Sequence, residues 1–170
     1  ASVLAAGNRI MAKPSELTPN TANLIKEAVG KYFDESEFAV ILGGPDIGAE
    51  FTALPLDHLL YTGSGAIAKK VVANAAENLV PTTLELGGKS PTIIASDADL
   101  ELVAKRIMFV KTLNAGQICL SPDYIMVKKG MEEKLITELK KVFNTFYPED
   151  NSSEYTSMVN EHHHNRMHEY

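Results

Sequence analysis

One cysteine, Cys119, stands among 170 residues, so an internal disulfide is excluded. That usage fits a reducing compartment, and the expected location is cytoplasmic. Basic charge is also scarce: 16 Lys and Arg face 22 Asp and Glu, for a net charge of −6. Such a balance offers no footprint for nucleic acid. No apolar run approaches the length of a membrane-spanning helix. The first residues also lack the basic–apolar–small layout of a signal peptide. What remains is 45% apolar and 22% charged residues, enough for a core and ordinary for a globular chain. The length suits one or two small domains. The chain starts inside "ASVLAAG" and stops inside "NEHHHNRMHEY". Both ends are expected to cut structured segments of a longer protein.

Strand-like and helix-like segments alternate. "NRIMAKP" ends at Pro14 and reads as a short strand. In the next segment Thr18 can cap a helix and Pro19 suits its first turn. Ala22, Ile25, Ala28, Val29 and Phe33 form its apolar stripe. "FAVILGG" is a continuous apolar run expected as a buried parallel strand. A short helix near Ile47–Ala53, a strand at His58–Ser64 and an alanine-rich helix with Ile67, Val71 and Ala75 on one face follow. "TTLELGG" is a further strand. The pattern restarts with a strand in "SPTIIAS", a helix over Asp99–Leu113, a strand in "DYIMVKK" and an amphipathic helix in "MEEKLITELKKVFNTF". The expected class is α/β with a mostly parallel sheet. The Gly87-Gly88 pair is the natural boundary between residues 1–86 and 87–170, since paired glycines permit a sharp redirection.

Gly63-x-Gly65-x-x-Ala68 lies between an expected strand and an expected helix. There a pyrophosphate could approach the backbone and the helix N-terminus, with Ser64 adding a hydroxyl. An ordinary strand–helix turn explains the same residues. A dinucleotide fingerprint also asks for an acid about 20 positions on. Glu85 sits 22 positions after Gly63 (85 − 63). Lys13 and Glu16, beyond the first strand, are rival ribose ligands; a solvated loop is their plain alternative. Glu85 then invites another role. Partial burial between leucines would raise its pKa and suit a general base. On an exposed strand face it would be an unremarkable carboxylate.

Cys119 is harder to judge from its neighbours alone. Buried free cysteines are common. Its setting is distinctive, however, with Gly116 allowing close backbone approach and Pro122 interrupting the chain just after. A thiolate nucleophile needs open access, nearby N–H groups and a base. The run His162-His163-His164 does not form a metal site, because adjacent helical residues diverge; a solvated helix face is expected and no metal is assigned.

"KPSELTPNTA", "GGPDIGAEF", "HLLYTGSGAIAKKV", "LELGGKSPTII" and "NAGQICLSPDY", in this order, resemble segments of the aldehyde dehydrogenase superfamily. The resemblance covers essentially the whole chain. Its most specific parts are "LELGGKSP" and "NAGQIC", whose Glu85 and Cys119 lie 34 positions apart (119 − 85). "CLSPDY", together with "GGPDIGAEF" and "LPLDHLLYTGS", looks closest to the branch of coniferyl and fatty aldehyde dehydrogenases.

The resemblance implies a partial Rossmann-like NAD-binding domain followed by the start of a catalytic domain. It makes Cys119 the nucleophile towards an aldehyde, through a thiohemiacetal and a thioester. Glu85 becomes the general base. Lys13 and Glu16 hold the adenosine ribose, and Gly63 and Ser64 lie at the pyrophosphate. NAD is the expected cofactor, with NADP possible, because a Glu16 carboxylate binds free ribose hydroxyls and repels a 2′-phosphate. The resemblance also implies a full-length homo-oligomer. The family's oxyanion Asn lies outside this chain and is not Asn114. Its nicotinamide-ribose Glu lies outside as well, so the fragment alone is expected to be inactive. Two other functions compete. One is an acyl-transferring enzyme of the same fold, which Glu85 disfavours. The other is a non-catalytic nucleotide-binding module, against which both Cys119 and Glu85 speak.

Overall fold

The computed structural model describes residues 1–148 and 154–169. Six strands and seven α-helices follow one another among these residues: α1 (Ser2–Ala5), β1 (Ile10–Ala12), α2 (Pro19–Tyr32), β2 (Phe38–Val40), α3 (Pro45–Thr52), β3 (Leu59–Gly63), α4 (Gly65–Ala76), β4 (Thr82–Leu86), β5 (Ser90–Ile93), α5 (Leu100–Thr112), β6 (Pro122–Met126), α6 (Glu132–Phe146) and α7 (Glu161–Met167). A kinked turn with left-handed residues inside it covers Leu113–Gly116. The class is α/β. The residues form two compact units, Ala1–Glu85 and Leu86–Tyr170. No helix among the described residues is long and apolar enough to cross a membrane.

In the first unit β1 and β2 pair in parallel, Ile10 opposite Phe38 and Ala12 opposite Val40. The expected long strand "FAVILGG" therefore shrinks to three residues. Its last ladder bond runs from the Ile41 N–H to the Ala12 carbonyl at 2.9 Å. Two residues further on, the β1 side reaches Pro14, which has no N–H to donate. β3 and β4 form a second pair. Leu59, Val71, Ala75 and Val80 make the core there, with Phe51, Leu56 and Tyr61 packed against it. The buried face of α4 is Ala68, Val71 and Ala75, while Ile67, expected on that face, is 45% exposed. Either row of residues is consistent with 3.6-residue periodicity, and the small Ala68 allows the closer approach. α2 buries only Ala22 of its expected stripe. Thr18 takes the N-cap position but makes no side-chain cap bond; its hydroxyl donates to the Ser15 carbonyl at 3.4 Å instead.

In the second unit β5 and β6 pair in parallel. Ile94, Leu100, Ile107 and Leu135 form the core between the strands and α5 and α6. Asp99 caps α5 by accepting from the Glu101 and Leu102 N–H groups at 3.0 and 3.3 Å. Pro122, read as a break, instead opens β6. A first strand position tolerates proline because its missing N–H costs no ladder bond there. Gly87 and Gly88 lie between β4 and β5 in open surroundings, and neither adopts a positive φ. Their backbone is thus open to other residues too.

Candidate active site

The residues around Cys119 are held in an unusual backbone. Asn114, Ala115 and Gly116 are all left-handed, with φ of 53°, 55° and 73°. For Ala115 this conformation costs about 1–2 kcal/mol. Gly116 is required: an added Cβ would lie 3.0 Å from the Lys111 carbonyl oxygen as well as in a strained conformation. The run reverses the chain at the end of α5. Immediately after it, the Ser121 N–H donates to the Ile118 carbonyl at 3.0 Å. Cys119 and Leu120 are therefore the two central residues of a tight turn.

Both central residues face outward. Cys119 is exposed, and Leu120 is 74% exposed. The Cys119 N–H has no hydrogen-bond partner among the described residues, which leaves a free donor beside the thiol. The Cys119 carbonyl accepts from the Ser90 hydroxyl at a long 3.4 Å. Ser121 is buried, and its hydroxyl has no partner among the described residues.

The strand after the turn is bulged. Ser90 stands opposite Pro122 and Pro91 opposite Tyr124, so Asp123 has no partner across the ladder. Its carboxylate accepts from the Lys89 ammonium at 3.0 Å instead. A bulge of this kind re-aims a side chain and often flanks an active site. Gln117 completes the surroundings: its amide reaches Asn114 and the backbone of Ser157 and Val159. Sequence reasoning singles out neither Gln117 nor the Lys89–Asp123 pair. A bulge at "SPDY" leaves no local signal, and the partners of Gln117 lie 40 and 42 residues away.

The other expected residues belong to the first unit. Lys13 and Glu16 come together: the ammonium meets the carboxylate at 3.2 Å and the Pro14 carbonyl at 3.1 Å. A hydrogen bond from its own backbone N–H, then that from Lys13, hold the Glu16 carboxyl below its ordinary value. Glu16 lines an open pocket of about 160 Å³ with Pro14, Ser15, Pro19, Ala22 and Gly43. An acceptor carboxylate in a small recess at the end of a strand and the start of a helix fits a ribose.

Ser64 is the N-cap of α4, accepting from the Ile67 N–H at 3.3 Å, which leaves its hydroxyl proton available. Gly63 ends β3. A Cβ there would overlap the outer end of the Tyr61 ring, which would have to move aside. Neither Gly63 nor Gly65 has a positive φ. The tight-turn role suggested by the Gly-x-Gly pattern is therefore absent. Glu85 lies on β4 and is exposed, so the partial burial expected for it is not found within this unit. Among the described residues no three His, Cys, Asp or Glu side chains gather to hold a metal ion. His162, His163 and His164 lie on α7, with His162 and His164 exposed.

Comparison with known proteins supplies the context. Residues 1–170 match the model of the aldehyde dehydrogenase family. A coniferyl aldehyde dehydrogenase of Pseudomonas sp. (strain HR199 / DSM 7063) is 48% identical over 172 aligned positions, covering 100% of this chain and 36% of the relative. The substrate-bound structure of Staphylococcus aureus AldH is similar with a TM-score of 0.91 and 43% identity, covering 96% of this chain and 36% of that one. A Mycobacterium tuberculosis aldehyde dehydrogenase complexed with NAD+ gives a TM-score of 0.86 at 32% identity, covering 98% and 36%. The chain thus spans about a third of the length of the proteins it matches.

Proposed function

The chain belongs to the aldehyde dehydrogenase family, and from that premise we propose that its parent protein oxidises an aldehyde to a carboxylic acid, with Cys119 as the nucleophile and Glu85 as the general base. One observation carries the reading. Cys119 is presented at the exposed tip of a tight turn, beside its own unpaired N–H, after a left-handed backbone run of the kind that clusters at active sites.

The chemistry follows from those groups. The Cys119 thiolate attacks the carbonyl carbon, a C–S bond forms, and the carbonyl electron pair moves to oxygen. The Cys119 N–H donates to that oxyanion. NAD supplies a two-electron hydride acceptor. With that acceptor bound, loss of hydride from the carbon would re-form the C=O bond as a thioester on Cys119. Glu85 then takes a proton from water, the resulting oxygen nucleophile attacks the thioester, and the C–S bond breaks. The acid leaves, the thiolate is restored, and Glu85 releases its proton to solvent.

Residues 1–86 are assigned to cofactor binding and 87–170 to catalysis. Glu16, steadied by Lys13, holds the adenosine ribose. The N-terminus of α4, with Ser64 and Gly63, receives the pyrophosphate. NAD is the proposed cofactor over NADP, because the Glu16 carboxylate would repel a 2′-phosphate; the NAD+ complex of the similar mycobacterial enzyme supports a nicotinamide cofactor. The coniferyl aldehyde relative supports an aromatic aldehyde as substrate. A homo-oligomer in the cytoplasm is the proposed setting. The fragment alone is expected to show no turnover.

The test uses the full-length protein. Cys119→Ser should abolish NAD-linked oxidation across aromatic and long aliphatic aldehydes while leaving NAD affinity nearly intact. Retained turnover in that variant would refute the assignment.

A further inference from the structure

We propose that Gln117 is the positioning residue for the nucleophile: its side-chain amide locks the Cys119 turn to the backbone of Ser157–Val159. The proposal rests on the reading of Cys119 as the nucleophile.

Three hydrogen bonds converge on this one amide. Its Nε2 donates to the Asn114 carbonyl at 2.9 Å and to the Ser157 carbonyl at 3.3 Å. Its Oε1 accepts from the Val159 N–H at 3.0 Å. The pattern assigns the orientation of the amide, since a flipped group would set oxygen against two carbonyls and nitrogen against an N–H. The side chain thus reads a C=O and an N–H two residues apart on a distant segment, much as a neighbouring strand would. An uncharged amide carries both functions on one head. A carboxylate offers no donor, and an ammonium no acceptor.

The same amide supports the strained turn. The Asn114 carbonyl that it bonds belongs to the first left-handed residue. In return the Asn114 side-chain amide donates to the Gln117 carbonyl at 3.2 Å. Residues 114 and 117 are therefore tied in both directions, with Ala115 and Gly116 between them. Cys119 follows two residues later.

Among the other anchors, the Ser90 hydroxyl donates to the Cys119 carbonyl at a long 3.4 Å, and two more hold the flanks of the turn. Tyr147 donates to the Thr112 hydroxyl at 3.2 Å at the end of α5, and Lys89 meets Asp123 beyond the turn. Neither spans the turn itself. Gln117 alone among the described side chains joins the strained run, the turn and the segment before α7. Displacing a reacting group by about 1 Å costs on the order of 10²-fold in rate. Loss of this clamp is therefore expected to act on the transfer steps and not on cofactor binding.

The experiment compares wild type with Gln117→Met and Gln117→Glu in the full-length protein. The first removes all three bonds at similar length. The second keeps the acceptor for Val159 and loses the donor. Hydride transfer is followed by single-turnover NADH formation with coniferyl aldehyde as the probe. Alkylation of Cys119 by iodoacetamide reports intrinsic thiol access, and hydrogen exchange at the Val159 N–H reports the clamp. The expected result is a 10- to 100-fold slower single turnover for Gln117→Met, a loss at least as large for Gln117→Glu, whose carboxylate would face two carbonyl oxygens, and NAD affinity and alkylation rate within about threefold of wild type. Exchange at Val159 should accelerate in Gln117→Met and much less in Gln117→Glu. Single-turnover rates within threefold of wild type in both variants would overturn the proposal. So would a parallel loss of NAD affinity, the mark of general unfolding; Gln117→Glu, which keeps the shape, decides the case if Gln117→Met does not fold. An active Cys119→Ser variant would instead strike the nucleophile assignment and leave the Val159 exchange result standing.

Discussion

The loop that presents Cys119 and the loop that presents Glu16 are built in opposite ways. Side-chain bonds from Ser90, Gln117 and the Lys89–Asp123 pair surround the first, and three consecutive left-handed residues shape it. The second is held by the Lys13–Glu16 ion pair and by short-range bonds within residues 13–18, with the Glu16 side chain 42% exposed beside an open pocket. The difference matches what each is asked to do. A nucleophile must meet a carbonyl at a fixed distance and angle, so its loop is fixed before substrate arrives. A ribose ligand supplies its own hydroxyls to complete the network, so a looser loop suffices. On the proposed roles, rigidity concentrates where bonds would be made and broken.

The largest expected effect tests whether that contrast extends to Glu85, which lies on an exposed strand with none of these supports. Glu85→Gln in the full-length enzyme should lower kcat by about 10²–10⁴-fold, with the thioester accumulating as a burst of NADH. Steady-state and stopped-flow rates check it. Unchanged kcat would remove Glu85 from the chemistry and leave the turn as the only constrained element.

Breaking the turn comes next. Gly116→Ala places a Cβ 3.0 Å from the Lys111 carbonyl at a φ of 73°. A destabilisation of about 1–3 kcal/mol is expected, read as a lowered urea midpoint. Gly87→Ala, where the surroundings are open and φ is negative, should fall within about 0.5 kcal/mol of wild type. Equal effects at the two positions would mean that the turn is no more constrained than the linker.

The smallest effect belongs to the ribose loop. Glu16→Gln should weaken NAD binding about tenfold and narrow the preference over NADP, as measured by titration with each cofactor. Glu16 is held below its ordinary value of 4.5. The wild-type advantage should therefore be whole above pH 4.5 and fade only as pH falls through the lowered value. An advantage lost well above pH 4.5 would contradict the role of Lys13 in holding the charge.

Much of this was legible in the sequence. The order of strands and helices follows from apolar periodicity, proline positions and glycine stops, and "NAGQIC" with "LELGGK" points to the chemistry. Strand lengths were not legible, because a ladder ends where its partner ends: "FAVILGG" stops at Val40 because β1 runs into Pro14. The buried face of α4 was misassigned by one residue, since Ile67 and Ala68 fit the same period and only packing separates them. α1 is too short to leave a periodic signal. The fastening of the Cys119 turn was invisible for a different reason. Gln117 acts through backbone groups about 40 residues away, and every residue type carries those groups.

The identity of the nucleophile is tested most directly by alkylating the full-length enzyme with iodoacetamide. Residual NAD-linked aldehyde oxidation is measured against the fraction of Cys119 modified, with the modified peptide identified by mass spectrometry. Activity should fall in direct proportion to modification of Cys119 and reach zero when the residue is fully alkylated. An enzyme fully alkylated at Cys119 that still turns over aldehyde at the unmodified rate would contradict the account.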